Sequence, residues 1–114
     1  MRSLLIALLL VSGSIQAADD DVVIKSGYLT GTQYRSLNSI DRQKYAMGLI
    51  DGILLSPFFG ADKKRLAWLE SCATGMNGEQ IVAILDKYLR ENPARWHESM
   101  NALAYFSMKQ ECGR

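Results

Sequence analysis

Three side chains carry most of the reactive potential of this sequence: Cys72, Cys112 and His97, the only two thiols and the only imidazole in 114 residues. Two cysteines and a histidine at such scattered spacing match no zinc pattern, and Trp96-His97-Glu98 has no second histidine to complete a metal pair. No nucleophile or carboxylate pair stands at a spacing that would set up His97 as a base, so an isolated histidine at the edge of an apolar stripe reads as structural. Gly48, Gly52, Gly75 and Gly78 form no phosphate loop with Lys and Ser/Thr. The expectation is therefore of no catalytic residue, no metal and no cofactor. The remaining chemistry is a disulfide, and whether it forms depends on the compartment.

The N-terminus speaks to that compartment. Met1-Arg2-Ser3 is a short positive start, Leu4 to Val11 is an unbroken apolar run of eight, and Ser12 to Ala17 is a small-residue exit. This is the pattern of a secretory signal peptide cleaved after Ala17. Eight apolar residues fall well short of the roughly 20 that cross a bilayer, and no cysteine lies near the cleavage point to take a lipid. The sequence predicts a periplasmic protein without membrane insertion after cleavage. There Cys72 and Cys112 meet an oxidising environment, and two cysteines allow one pairing. A bridge closing about 40 residues restrains the unfolded chain by about 4 kcal/mol on the loop-entropy model.

Cleavage removes Arg2 from a total of 13 Lys and Arg, leaving 12 against 12 Asp and Glu. A formally neutral chain argues against nucleic acid or an anionic membrane surface as the main partner, since both demand a basic stripe. Asp19-Asp20-Asp21 and Lys63-Lys64-Arg65 read as solvated surface.

The elements that must position these residues are helices. Thr30 and Gln33 form a capping box that opens a short turn through Tyr34 and Leu37. Asn38-Ser39 caps a helix from about Ile40 to Leu55, stopped by Ser56-Pro57. Asp62 caps a helix through Leu66, Trp68 and Leu69 that ends near Cys72. Asn77 and Gln80 form a second capping box, leading into Ile81, Ile84, Leu85, Tyr88 and Leu89 on one face, with Asp86 and Arg90 paired four apart outside. Asn92-Pro93 closes that helix and opens a last one to about Glu111, striped by Trp96, Met100, Leu103 and Ser107. The expected fold is all-α, a small single-domain bundle of four to five short helices stapled by one disulfide. Residues 1–17 are the signal peptide, 18–29 a flexible segment and 30–112 the helical domain.

One helix is unusual. Tyr45-Ala-Met-Gly-Leu-Ile-Asp-Gly-Ile-Leu-Leu55 carries Gly48 and Gly52, each costing about 1 kcal/mol relative to alanine. On a wheel of 100° per residue the glycines fall with Tyr45 and Asp51, outside the apolar half of Ile40, Ala46, Met47, Leu49, Ile50, Ile53 and Leu54. They would open a flat groove flanked by Tyr45 and Asp51. Either a neighbouring helix of the same fold lies there and Asp51 is satisfied internally, or the surface receives a protein partner or a second copy as a homodimer. Phe58 and Phe59 in the following turn are either core plugs or an exposed anchor.

The order "YAMGLIDGI", then Cys72, then "GEQIVAILDKYLRENPARWHESMNALAYFSMKQEC" resembles the Rap/Tai family of immunity proteins over roughly residues 45 to 112. The likeness lies in the glycine-bearing helix, the cysteine before a Gln-bearing helix, the Tyr88-Leu89 to Asn92-Pro93 junction and the closing helix that reaches a cysteine. Members are small exported helical proteins that neutralise cell-wall amidases delivered by type VI secretion. The resemblance implies a non-enzymatic binding protein whose partner is an amidase-type toxin. This chain departs from the pattern in lacking a proline after Cys72-Ala73 and in carrying an extra "PFFGADKKRLAWLES" before the cysteine. A second similarity, in "YLTGTQYRSL", is to periplasmic acid-stress chaperones. A chaperone or structural helical module is the alternative function.

Overall fold

A computed structural model describes Gly13 and residues 27–113. The predicted signal peptide and residues 18–26 of the segment that follows it lie outside the described residues, apart from Gly13. Five α-helices account for the architecture: α1 (Gly31–Arg35), α2 (Ser39–Leu55), α3 (Ala67–Ala73), α4 (Gly78–Glu91) and α5 (Met100–Cys112). Tight 3₁₀ turns at Ser56–Phe59, Lys63–Leu66 and Pro93–Arg95 join them, and no strand is present among the described residues. The fold is all-α, and Cys72 and Cys112 are disulfide-bonded with their Cα atoms 5.8 Å apart.

The starts of α1, α2 and α4 follow the predicted chemistry, whereas Asp62 caps the 3₁₀ turn Lys63–Leu66 and not α3 itself. Both capping boxes form: Thr30 with Gln33 at α1, and Asn77 with Gln80 at α4. Asn38 caps α2 by accepting the Asp41 N–H at 2.9 Å. Each supplies an acceptor to an N–H that the first helical turn leaves without one.

α4 is the centre of the bundle, packed against α2 on one flank and α5 on the other. Ile81, Val82, Leu85, Tyr88 and Leu89 of α4 are buried against Ala46 and Ile50 of α2 and Met100, Leu103, Ala104 and Met108 of α5. α2 commits only a narrow stripe to this core. Ile40 and Met47, expected on its apolar half, are 63% and 43% exposed, Met47 sitting at the margin of the packing where its sulfur faces Gly78 of α4.

The last helix is shorter than predicted. Instead of running from Asn92-Pro93, the chain makes a 3₁₀ turn, breaks, and enters α5 at Met100. The segment 96–100 gives its backbone groups to the start of the described chain. The Gly31 and Thr32 N–H groups donate to the Glu98 and Trp96 carbonyls, and the Met100 N–H donates to the Leu29 carbonyl at 2.7 Å. A helix through 96–100 would leave those groups unmatched. Gly31 is the residue that permits the contact: a Cβ there would meet Leu103 Cδ1 at 2.9 Å and the Trp96 backbone at 3.1 Å.

A second correction concerns Asp86. It pairs not with Arg90, four residues on, but with Arg42 of α2, Nη1 to Oδ2 at 3.1 Å. Arg42 is aimed there by two further acceptors, the Leu37 carbonyl at 2.9 Å and the Arg35 carbonyl.

Tyr34 supplies an unusual core feature. It is wholly buried, and its hydroxyl has no hydrogen-bond partner among the described residues. Burial, helped by the Asp86 carboxylate and opposed by Arg42, pushes its phenol well above the usual range. A buried hydroxyl without a partner carries a desolvation cost of about 1–3 kcal/mol, so removing it relieves that cost while keeping the ring. Tyr34→Phe is accordingly expected to raise unfolding free energy by about 1 kcal/mol. A urea midpoint shifted downward would show that the hydroxyl is in fact satisfied.

Candidate functional site: a glycine-floored groove between α2 and α5

Because α2 and α5 sit on opposite flanks of α4, a cleft opens between them on the side away from the core. Two contiguous concavities of about 410 and 460 Å³ occupy it, sharing Gly48, Leu49 and Asn101. One wall is Tyr45, Leu49 and Ile53 of α2, and the other is Asn101, Ala102 and Tyr105 of α5. Gly27 and Tyr28 close one end, with Lys44 the charged residue at the rim, and Ser56 closes the other.

Gly48 and Gly52 form the floor. A Cβ built on either would meet nothing within 4 Å among the described residues. Among the described residues no neighbouring backbone lies against them, so no described element accounts for the two glycines by internal packing. What they provide is depth: any larger side chain at 48 or 52 would project into the cleft.

The structure brings together Tyr45, Gly48 and Gly52 but not Asp51. Asp51 is exposed on the other side of α2, beside Met47, Leu54, Met76 and Ile81, at a separate concavity of about 260 Å³. It makes no hydrogen bond or ion pair among the described residues, so the expectation of internal satisfaction is also unmet. Its charge is therefore solvated, and Asp51→Asn should change unfolding free energy by less than about 0.5 kcal/mol. A loss above 1 kcal/mol in a chemical melt would restore a structural role.

Phe58 and Phe59 are not core plugs. They are 82% and 79% exposed, the two most exposed large apolar side chains described, and stack edge to face with centroids 5.4 Å apart. The turn that presents them follows directly from Ser56 at the end of the groove. It is held by Pro57, by the Gly60 N–H donating to the Pro57 carbonyl, and by the Ala61 N–H donating to the Ser56 carbonyl, each at 3.1 Å. Gly60 closes it with φ 104°, a left-handed conformation that side chains disfavour.

The far wall of the groove was not legible in advance. Asn101, Ala102 and Tyr105 lie beside the predicted α5 stripe rather than on it. The available signal was the neighbouring pair Ala102 and Tyr105, three apart and outside the Met100-Leu103-Ser107 line. Tyr105 is anchored by edge contacts to Trp68 and Phe106 at 5.7 and 5.8 Å.

His97 is exposed and lies outside the groove. Among the described residues no group of three His, Cys, Asp or Glu is placed to hold a metal ion, and no helix is long and apolar enough to cross a membrane. Compared with protein-family models, curated proteins and solved structures, the chain matches none.

Proposed function

We propose that this chain is an exported, non-enzymatic binding protein that seats a partner protein in the α2–α5 groove, and that the partner is a cell-wall amidase neutralised in the periplasm. The observation that carries the reading is the open floor at Gly48 and Gly52. Two helix-weakening residues, each at about 1 kcal/mol, serve no contact among the described residues, and together they make a trough deep enough for another chain to approach the α2 backbone. The Phe58–Phe59 pair beside it is an aromatic anchor of the kind that dominates binding energy at protein interfaces. The disulfide suits an oxidising compartment. The likeness of "YAMGLIDGI" and of the Gly78–Cys112 segment to Rap/Tai immunity proteins supplies the amidase.

The test uses protein purified from the periplasm of an expression host and mixed with type VI amidases, with release of cell-wall fragments as the readout. Stoichiometric inhibition is expected. Gly52→Leu should separate folding from binding. It improves helix propensity by somewhat under 1 kcal/mol, so the melting temperature rises by a few degrees. The leucine fills the trough, and affinity falls by a factor of roughly 10 to 100. A Gly52→Leu protein that inhibits as well as the parent removes the groove from the interface. Suppression of aggregation of several unrelated clients at pH 2 to 3, with no amidase bound, would instead favour the chaperone, and a dimer that Gly52→Leu dissociates would favour self-association.

A further inference from the structure

A further concavity, separate from the groove and from the one beside Asp51, is built from arginines. About 200 Å³ in volume, it is lined by Arg35, Arg42, Asp86, Leu89 and Arg90, which sets three guanidinium groups against one carboxylate. That carboxylate is already engaged by Arg42. Arg42 is itself spent on Asp86 and on the Leu37 and Arg35 carbonyls. Arg35 and Arg90 are not: neither side chain has a hydrogen bond or ion pair among the described residues. Glu91, the next acidic residue along α4, accepts a hydrogen bond from Gln110 of α5 at 3.4 Å.

Arg35 is also pre-organised. Its guanidinium carbon sits 3.4 Å from the ring centre of Trp96, and the indole is fixed in turn by donating Nε1–H to the Leu89 carbonyl at 2.7 Å. A guanidinium stacked on an aromatic face keeps its N–H donors in its own plane, directed sideways, in the fork that matches two oxygens of a carboxylate or phosphate. Little side-chain entropy then remains to be lost on binding.

We infer that the Arg35–Arg42–Arg90 concavity is an oxyanion-binding site, taking a carboxylate or phosphate group between the Arg35 and Arg90 forks with Arg42 supplying field from behind. The surplus of two positive charges in one small concavity is a mutual repulsion that a bound anion relieves.

Trp96 makes the site observable. In a Trp68→Phe background Trp96 is the remaining indole, and the purified protein is titrated at pH 7 with sodium phosphate or, separately, sodium acetate, with chloride holding ionic strength constant. The expected result is a saturable change in indole emission in at least one arm, with half-saturation at roughly 1 to 10 mM. Arg90→Gln, whose side chain is not the one stacked on the indole, should weaken it at least tenfold, and Arg90→Lys should restore part of the loss. Saturation by acetate, alone or with phosphate, identifies carboxylates as ligands, and saturation by phosphate alone identifies phosphoryl groups. A flat or merely linear response in both arms, or saturation that survives Arg90→Gln unchanged, overturns the site.

Discussion

Breaking the Cys72–Cys112 bond, by reduction or by joint Cys72→Ser and Cys112→Ser substitution, is expected to lower unfolding free energy by about 4 kcal/mol. The bond spans 40 residues and joins the last turn of α3 to the last residue of α5. Freed of it, the unfolded chain regains the conformations that loop closure had removed. α3 makes the loss more than an abstract entropy. It has seven residues and one buried side chain, Leu69, too few to hold a short helix by packing alone. Against a typical total of about 5–15 kcal/mol for a domain, such a loss leaves a marginal fold. Urea titrations with and without reductant check this, and midpoints that coincide would mean that packing alone holds α3.

Leu85→Ala should have a comparable effect, a loss of about 2–5 kcal/mol. Leu85 is fully buried in the middle of α4, the helix on which both α2 and α5 rest, so truncation leaves a cavity on the central element. Its neighbours belong to a close-packed core and relax only partly into the space. Leu55→Ala provides the contrast: at 55% exposure that side chain has little packing to lose, and a change within about 0.5 kcal/mol is expected. Equal losses at the two positions in thermal or chemical melts would show that α4 is not the central support.

The features readable from sequence were those determined by residues near one another along the chain. A capping box needs only residues three apart, so Thr30 with Gln33 and Asn77 with Gln80 were legible, as was the end of α2 ahead of Pro57. The disulfide was legible from the cysteine count together with the expected compartment. What escaped notice depended on contacts across the fold. Nothing near Pro93 announces that Leu29 to Thr32 will take the backbone groups of 96–100 and delay α5. Asp86 had a local partner in Arg90 and a better one 44 residues away in Arg42. At the candidate site, Tyr45, Gly48 and Gly52 followed from helical periodicity. Asp51 was misplaced because a wheel gives angles and not neighbours: the cleft is set by α5, which lies on the far side of the glycines. The exposure of Phe58 and Phe59 likewise required knowing that no other described element covers the turn.

The clasp between Leu29–Thr32 and Trp96–Met100 bears on the order in which the fold can be completed. α1 finds its partners at Trp96 and Glu98, Leu29 finds Met100, and Cys72 waits for Cys112. A chain that emerges amino end first from the ribosome presents α1 and α2 long before any of these exist. Until α5 appears, one flank of α4 is bare, and until Cys112 appears, α3 is untied. Completion thus waits for α5, and an emerging chain stays open and threadable until Met100–Cys112 has been made.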